Sequence, residues 1–271
     1  MSSLHETRIT AAAGVLAVKV HSSRTFTRHS HEQYGIGVFD AGGHRSASGR
    51  GMVEAGPGDV ITVNPGEIHD GASLGGESRR WRMLYFDEPV LRAAASGLAD
   101  HASAVYEFHA PVLHDRRASL TLDTLFRVYC GSRGGSADGL LVDECLLGLI
   151  AQLGKPTRSN RSPGVAAGIA RMKAAIDADP AHGFTIARLA ELSGVNHYQT
   201  IRMFARVTGL TPHAYLVQRR VDLARGLIRE GSGLANAAMA AGFSDQSHLT
   251  RAFATRFGYT PGAYADAFRQ A

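Results

Sequence analysis

The chain has no run of eighteen apolar residues, which excludes an ordinary membrane-spanning helix. Residues 1–10 are polar and lack the apolar core of an export signal, so the expected location is the cytoplasm. Cysteine is almost missing. Cys130 and Cys145 alone cannot build a disulfide framework. Both fall in apolar helical patterns and read as small core residues, with a single bridge between them left open. Trp81 is the only tryptophan.

Enough remains for two cores. The 271 residues suit two domains, and 44% of them are apolar. The net charge of +5 is uneven. Residues 1–160 hold 16 Lys and Arg against 17 Asp and Glu, whereas residues 161–271 hold 13 against 7. Nine of the thirteen histidines precede residue 160. A basic half favours a polyanion, of which nucleic acid is the commonest, although a solvated surface has the same composition.

The first part reads as short strands punctuated by Gly and Pro. Tyr34 to Phe39 ends at Ala41-Gly42-Gly43, Val60 to Val63 lies between Gly56-Pro57-Gly58-Asp59 and Asn64-Pro65-Gly66, and Trp81 to Phe86 follows. Two helical stripes come next. One holds Leu122, Leu125, Phe126, Tyr129 and Cys130. The other holds Leu141, Cys145, Leu149 and Leu153, widened by Leu146 and Ile150. Such stripes either cover a β-barrel or meet a second copy of the chain. The polar stretch 155–164 reads as a linker. The expected organisation is a β-barrel with an N-terminal arm (1–110, the arm being 1–20), a helical pair (111–154), the linker, and an all-helical domain (165–271).

Residues 202–215 and 251–264 repeat the pattern R-x-F-A-x-x-x-G-x-T-P-x-A-Y at a period of 49, identical at eight of fourteen positions. Upstream of each copy a short helix carries an alanine, Ala190 or Ala238, four residues before a glycine, Gly194 or Gly242. Two helices meeting near a right angle need a small residue at their approach and a left-handed turn between them. Val195 and Phe243 plug the junctions. Asn196 in one copy, and Ser244 or Asp245 in the other, cap the second helix. Thr-Pro then opens the following helix. This is a duplicated helix-turn-helix.

The string Gly242-Phe243-Ser244-Asp245-Gln246-Ser247-His248-Leu249-Thr250-Arg251-Ala252-Phe253, followed by Gly258-Tyr259-Thr260-Pro261, resembles the signature of the AraC/XylS family of bacterial transcription regulators. The resemblance covers about residues 165–268. It implies that two units enter successive major grooves on one face of double-stranded DNA. They are joined by a rigid helix, here Leu216 to Ile228, which carries Arg219, Arg220 and Arg225.

Recognition helices present their N-terminal halves to base edges. The candidates are His197, Tyr198, Ile201 and Arg202 in the first unit and Gln246, Ser247, His248 and Arg251 in the second. Arg pairs well with guanine and Gln with adenine. Arg202 and Arg251 contact a base or a phosphate, or form an ion pair. Ile201 departs from the polar residue frequent in the family. It reads a thymine methyl, or the first unit is the less selective one. Tyr215 and Tyr264 read as packing residues.

In the first part, His29-Ser30-His31, Gly35-Ile36-Gly37, Pro57-Gly58-Asp59 and Asn64-Pro65-Gly66-Glu67-Ile68-His69 resemble the cupin-like, arabinose-binding-type sensor barrel fused to many of these regulators. Metal-binding cupins place two histidines two apart, a glutamate shortly after and a third histidine on a distant strand. His29, His31 and His69 match three of those places, while Gly35 and Ile36 stand where the glutamate would be. Without the carboxylate, hydrogen bonding to an effector is the favoured role. No cofactor is expected, and these histidines remain the candidates should a metal bind. The expected effector pocket is His29, His31, Tyr34, Glu67, His69, Trp81 and Arg82, suited to a small polar metabolite.

The expected fold is therefore α+β: a cupin-like barrel with two linking or dimerising helices, then two helix-turn-helix units. The expected function is an effector-controlled regulator, an activator by family resemblance, acting as a homodimer on DNA and RNA polymerase and with no membrane partner. A cupin metalloenzyme with an autoregulatory DNA-binding half is the alternative, and the missing glutamate weighs against it. An architectural protein that only bends DNA would leave a footprint without sequence preference.

Overall fold

The computed structural model describes residues 6–12, 14–95, 105–131, 139–157, 165–194 and 197–269. They fall into two compact units, residues 1–159 with 266–271, and residues 160–265.

The first unit opens with strands β1 (Glu6–Ala12), β2 (Val15–Ser22), β3 (Phe26–His29), β4 (Tyr34–Ala41), β5 (His44–Ser48) and β6 (Gly51–Ala55). Then come β7 (Val60–Val63), β8 (His69–Ser73) and β9 (Arg79–Phe86), followed by helix α1 (Glu88–Ala95). Strands β10 (Val105–Phe108) and β11 (Val112–Leu113), helices α2 (Arg116–Gly131) and α3 (Gly139–Leu153), and strand β12 (Gly154–Thr157) complete it. One antiparallel sheet runs β1-β2-β9-β4-β7-β11 and a second runs β3-β8-β5-β6. The expected barrel thus takes the form of two sheets with facing inner surfaces.

Central strands β2 and β4 are buried along nearly their whole length, because both faces are covered. On one face of the larger sheet, Ile36, Val38, Leu84 and Phe86 pack against Leu122, Leu125 and Phe126 of α2 and Leu146, Leu149, Ile150 and Leu153 of α3. Each such fully buried side chain contributes roughly 1.5–3 kcal/mol. The paired stripes therefore cover the sheet.

Three expectations change. Residues 6–12 and 15–20 of the expected arm are strands of the large sheet, paired from Glu6 opposite His21 to Ala12 opposite Val15. Lys155 to Thr157, expected in the linker, pair with β10 and set Pro156 opposite Tyr106. Proline is tolerated there because a two-stranded ribbon leaves an outer edge that needs no donor. Cys130 is exposed rather than a core residue, Cys145 is half-buried, and the two are not joined in a disulfide.

The second unit is helical: α4 (Val165–Ala178), α5 (Ile186–Ser193), α6 (His197–Thr208), α7 (Pro212–Arg229), α8 (Leu234–Ala240), α9 (Gln246–Phe257) and the first part of α10 (Pro261–Arg269). Ile169, Met172, Ile176, Leu189, Phe204 and Leu216 form the core of the first half. In the second half, Phe253 meets Phe257, Tyr259 and Tyr264 with ring centroids 4.9–5.8 Å apart.

Candidate DNA interface and effector site

Each helix-turn-helix is built from the local rules that its sequence obeys. Thr185 caps α5 by accepting from the Arg188 N–H, and Gly194 closes it in the left-handed conformation at φ 73°. Ala190 and Ala238 are buried where the helices approach. Asp245 caps α9 by accepting the His248 N–H at 2.7 Å. That bond holds the Asp245 carboxyl below the usual carboxylate range. Phe243 is the buried plug of the second unit. Val195 and Asn196, the corresponding plug and cap of the first, lie outside the described residues. Thr211 and Thr260 accept from the N–H groups of Ala214 and Ala263, so each Thr-Pro pair starts a helix as expected.

The faces left outward are those of the candidate readers. Arg202 on α6 and Gln246, Ser247 and Arg251 on α9 are exposed, and Ile201 is 39% exposed. His248 is half-buried, its ring edge-on to Phe243 at 5.1 Å and its Nδ1 3.2 Å from the Ser244 hydroxyl. The side chains of His197 and Tyr198 lie outside the described residues. Tyr215 and Tyr264 are packing residues. Tyr215 stacks edge-on to Phe204 at 5.4 Å and donates to Asp177 at 2.8 Å, and burial raises its pKa.

Helix α7 joins the halves, and its three arginines are structural. Arg219 pairs with Asp177 at 2.9 Å, and Arg220 donates to the carbonyls of Pro180 and His182 at 2.8 and 3.1 Å. Buried Arg225 lies over the rings of Phe257 and Tyr264, at 4.7 and 5.2 Å. The connector is thereby fastened to both halves, so the two recognition helices are carried on one rigid part.

In the first unit, the register of β3 against β8 sets His29 directly opposite His69. His31 joins them from the next loop, held where the Gly66 N–H donates to its carbonyl at 2.7 Å. The three ring centroids lie 4.5–5.2 Å apart. Nδ1 of His29 is 2.7 Å from the Thr27 carbonyl and Nδ1 of His69 is 3.0 Å from the Glu67 carbonyl. Burial pushes the His69 pKa down, so its ring is neutral.

The other expected effector residues divide. Trp81 shares the interior, edge-on to Phe26 at 5.9 Å and 5.9 Å from Phe39. Arg82 does not. Adjacent residues of a strand face opposite ways, and Arg82 pairs instead with Asp40 (2.9 Å) and Asp123 (2.7 Å) on the helical side. Tyr34 likewise points to the helical core, edge-on to Phe108 at 5.5 Å. The Glu67 carboxylate closes its own turn by accepting from Asn64 N and Nδ2 (3.2 and 3.1 Å), so only its carbonyl serves the cluster.

Two interior groups escaped the sequence reading. Arg79 is wholly buried, and its guanidinium lies 5.6 and 5.0 Å from the ring centroids of Phe26 and Trp81. Its Nη2 donates to the Arg24 and Gly71 carbonyls, while Nε and Nη1 have no partner among the described residues. His44 stacks on Phe39 at 4.8 Å with its Nδ1 likewise unpartnered. Burial pushes Arg79 down to about 10, still a cation near neutrality, and pushes His44 down to about 3, hence neutral. Strand alternation would have found Arg79, because it shares a face with Trp81.

Comparison with known proteins agrees with both units. The AraC-like ligand binding domain family matches residues 15–150, and a helix-turn-helix domain family matches residues 189–267. An uncharacterized HTH-type transcriptional regulator, YbfI of Bacillus subtilis, is 25% identical over 224 residues, 83% of this chain and 81% of that one. Among solved structures, an apo variant of ToxT from Vibrio cholerae superposes with a TM-score of 0.60 at 11% identity, covering 96% of this chain and 99% of that one. ToxT bound to an unsaturated fatty acid gives 0.54 at 13%, covering 93% and 94%. These two show a shared fold. With a ligand-binding family over half its length and a helix-turn-helix family over most of the remainder, the chain belongs to the AraC family of transcription regulators.

Proposed function

We propose that this regulator binds DNA through α6 and α9 and is switched by an acidic small molecule held between the two sheets. The observation that carries the DNA-binding half is the twinned unit on one clamped connector, with Arg202, Gln246, Ser247 and Arg251 facing outward. Gln246, Ser247 and Arg251 are assigned to base edges, and Arg202 to a base or phosphate. His197, Tyr198 and Ile201 extend the first unit's surface, and His248 supports the second.

The acidic character of the effector rests on Arg79, a buried cation beside aromatic walls with two donor atoms unpartnered among the described residues. An anionic group would supply those partners and offset the desolvation. His29, His31, His69 and Trp81 line the same interior. Binding changes the equilibrium between DNA-competent and incompetent arrangements only if the effector prefers one of them. We further propose a homodimer acting in the cytoplasm as an activator with RNA polymerase. No catalytic step is assigned.

The test begins with genomic footprinting by the purified chain, which yields the operator. Operator affinity is then measured with and without a panel of small carboxylic acids. A member that shifts affinity in the wild type but not in Arg79→Met supports the reading. A panel-independent affinity, or a shift that survives Arg79→Met, contradicts it.

A further inference from the structure

We infer that the helical unit carries a small-molecule site of its own, an apolar cavity bounded by α4, α5, α6 and the start of α7 that takes an uncharged one- or two-ring molecule. It encloses about 320 Å³, at the small end of the roughly 300–1,000 Å³ of ligand pockets. Ile176, Leu189 and Leu216 in its wall belong to the buried core of the first half, and Phe184 packs on that core. Of the nine described residues that line it, only Thr211 and His213 are polar, and none is Lys, Arg, Asp or Glu. Water in such a cavity finds few partners, and an apolar group displaces it favourably. An acid or a polyanion finds no cation there, so the ligand class differs both from the one assigned to Arg79 and from DNA. Thr211 and His213 offer a hydroxyl and an imidazole to one neutral polar group of the occupant.

The twin unit shows why this corner is open. His213 stands where the second copy has Gly262, and Ile186 opens α5 as Leu234 opens α8. A Cβ at Gly262 would lie 3.9 Å from Leu234 Cδ1, so in the second copy the first helix closes onto the start of α10. In the first copy Ile186 and His213 line a gap instead. The recognition helices differ in the same sense. Aligned on Arg202 and Arg251, Thr200 and Ile201 match Leu249 and Thr250. In α9 the leucine is fully buried. In α6 the order is reversed: Thr200 is buried, 3.0 Å from the Ser193 hydroxyl, and Ile201 turns outward to form a wall of the cavity.

Ile201 immediately precedes Arg202. An occupant thus covers an apolar side chain of the helix assigned to DNA and weakens operator binding. That consequence rests on the proposed DNA reading, whereas the binding itself does not.

The experiment titrates the full chain, its isoleucine and leucine methyl groups isotope-labelled, with indole and with indoleacetate as the charged counterpart. Saturable binding of one indole per chain is expected by NMR, with shifts centred on Ile176, Ile186, Leu189, Ile201 and Leu216. Indoleacetate should bind there at least about tenfold more weakly, because its charge would be desolvated without a partner. Ile201→Gln should weaken indole binding at least about tenfold. Val207→Gln, 55% exposed on the same helix and outside the cavity, should bind indole like the wild type. Should Ile201→Gln fail to fold, nuclear Overhauser contacts between indole and the wild-type methyls decide. No saturable binding, shifts centred elsewhere, or undiminished binding in folded Ile201→Gln overturns the site. Methyl shifts that follow protein concentration without indole would assign the cavity to a second copy and overturn it too. Saturating indole should lower operator affinity by about fivefold or more; an unchanged affinity with the cavity filled overturns the coupling to DNA and not the site.

Discussion

The two turn glycines have the same role but not the same surroundings, and alanine substitution separates them. Gly194 sits at φ +73° with no atom of the described residues within 4 Å of where a Cβ would stand, and Gly242 sits at φ +82° with Ala181 O 2.7 Å and Ala181 Cα 2.9 Å from that position. The left-handed conformation costs an L-residue about 1–2 kcal/mol. A stiffer unfolded chain returns about 0.4–1 kcal/mol of that. Gly194→Ala should therefore destabilise by about 1 kcal/mol. At Gly242 the same term applies, and the methyl meets main chain that cannot rotate away, which adds about 1–3 kcal/mol. Gly242→Ala should cost about 3 kcal/mol. Urea unfolding followed by far-UV circular dichroism weights the helical unit, whereas Trp81 fluorescence reports the other one. Equal costs at the two positions, or a larger cost at Gly194, would refute the packing argument.

Other outcomes follow from single side chains. Arg251→Ala should lower operator affinity by roughly 1–3 kcal/mol and blur one base position, read by anisotropy on operator and random duplexes; an unchanged ratio between the two would remove Arg251 from base contact. Arg79→Met removes a cation whose burial penalty is about 3 kcal/mol, and it also removes hydrogen bonds of about 0.5–1.5 kcal/mol each and ring contacts of about 0.5–2 kcal/mol. The penalty offsets part of those losses, so stability should fall by clearly less than the roughly 3–5 kcal/mol of a large ordinary core side chain, and a loss of that size would mark Arg79 as one. His44, held at about 3 against 6.5 for an exposed imidazole, is neutral when folded and takes up a proton on unfolding. Its stabilising effect is intact above pH 6.5 and is lost as pH falls toward 3, at about 1.4 kcal/mol per pH unit. His44→Gln should flatten the acid limb of stability against pH by about that slope, and an unaltered limb would show that His44 is not the group titrating.

Repeat elements were legible because each obeys a local rule. A cap, a left-handed glycine and a Thr-Pro start are one-residue decisions, and the 49-residue period shows each twice. The histidine cluster was half legible. His29 and His31 are two apart, but only the β3–β8 register brings His69 beside them. The phase of a strand was the weak point. In Arg79-Arg80-Trp81-Arg82 neighbours alternate between the interior and the helical face, so Trp81 and Arg82 could not both line the pocket and Arg79 was missed; the same alternation on β4 turns Tyr34 to the helical core. Strands β1 and β2 went unread although they form a hairpin that sets Ala12 opposite Val15, and the pairing of β2 with β9 is a long-range contact that no local signal announces. The outward position of Cys130 depends on which side of α2 the sheet covers, again a tertiary choice.

Selection of bound duplexes from a random pool by the purified full chain bears on the whole reading most directly. Two recognition helices on one clamped connector should enrich a bipartite sequence, its halves about 10–10.5 base pairs apart from centre to centre. Gln246→Ala and Arg251→Ala should degrade the same half of it. Enrichment of one isolated half-site, or none over the starting pool, would contradict the account.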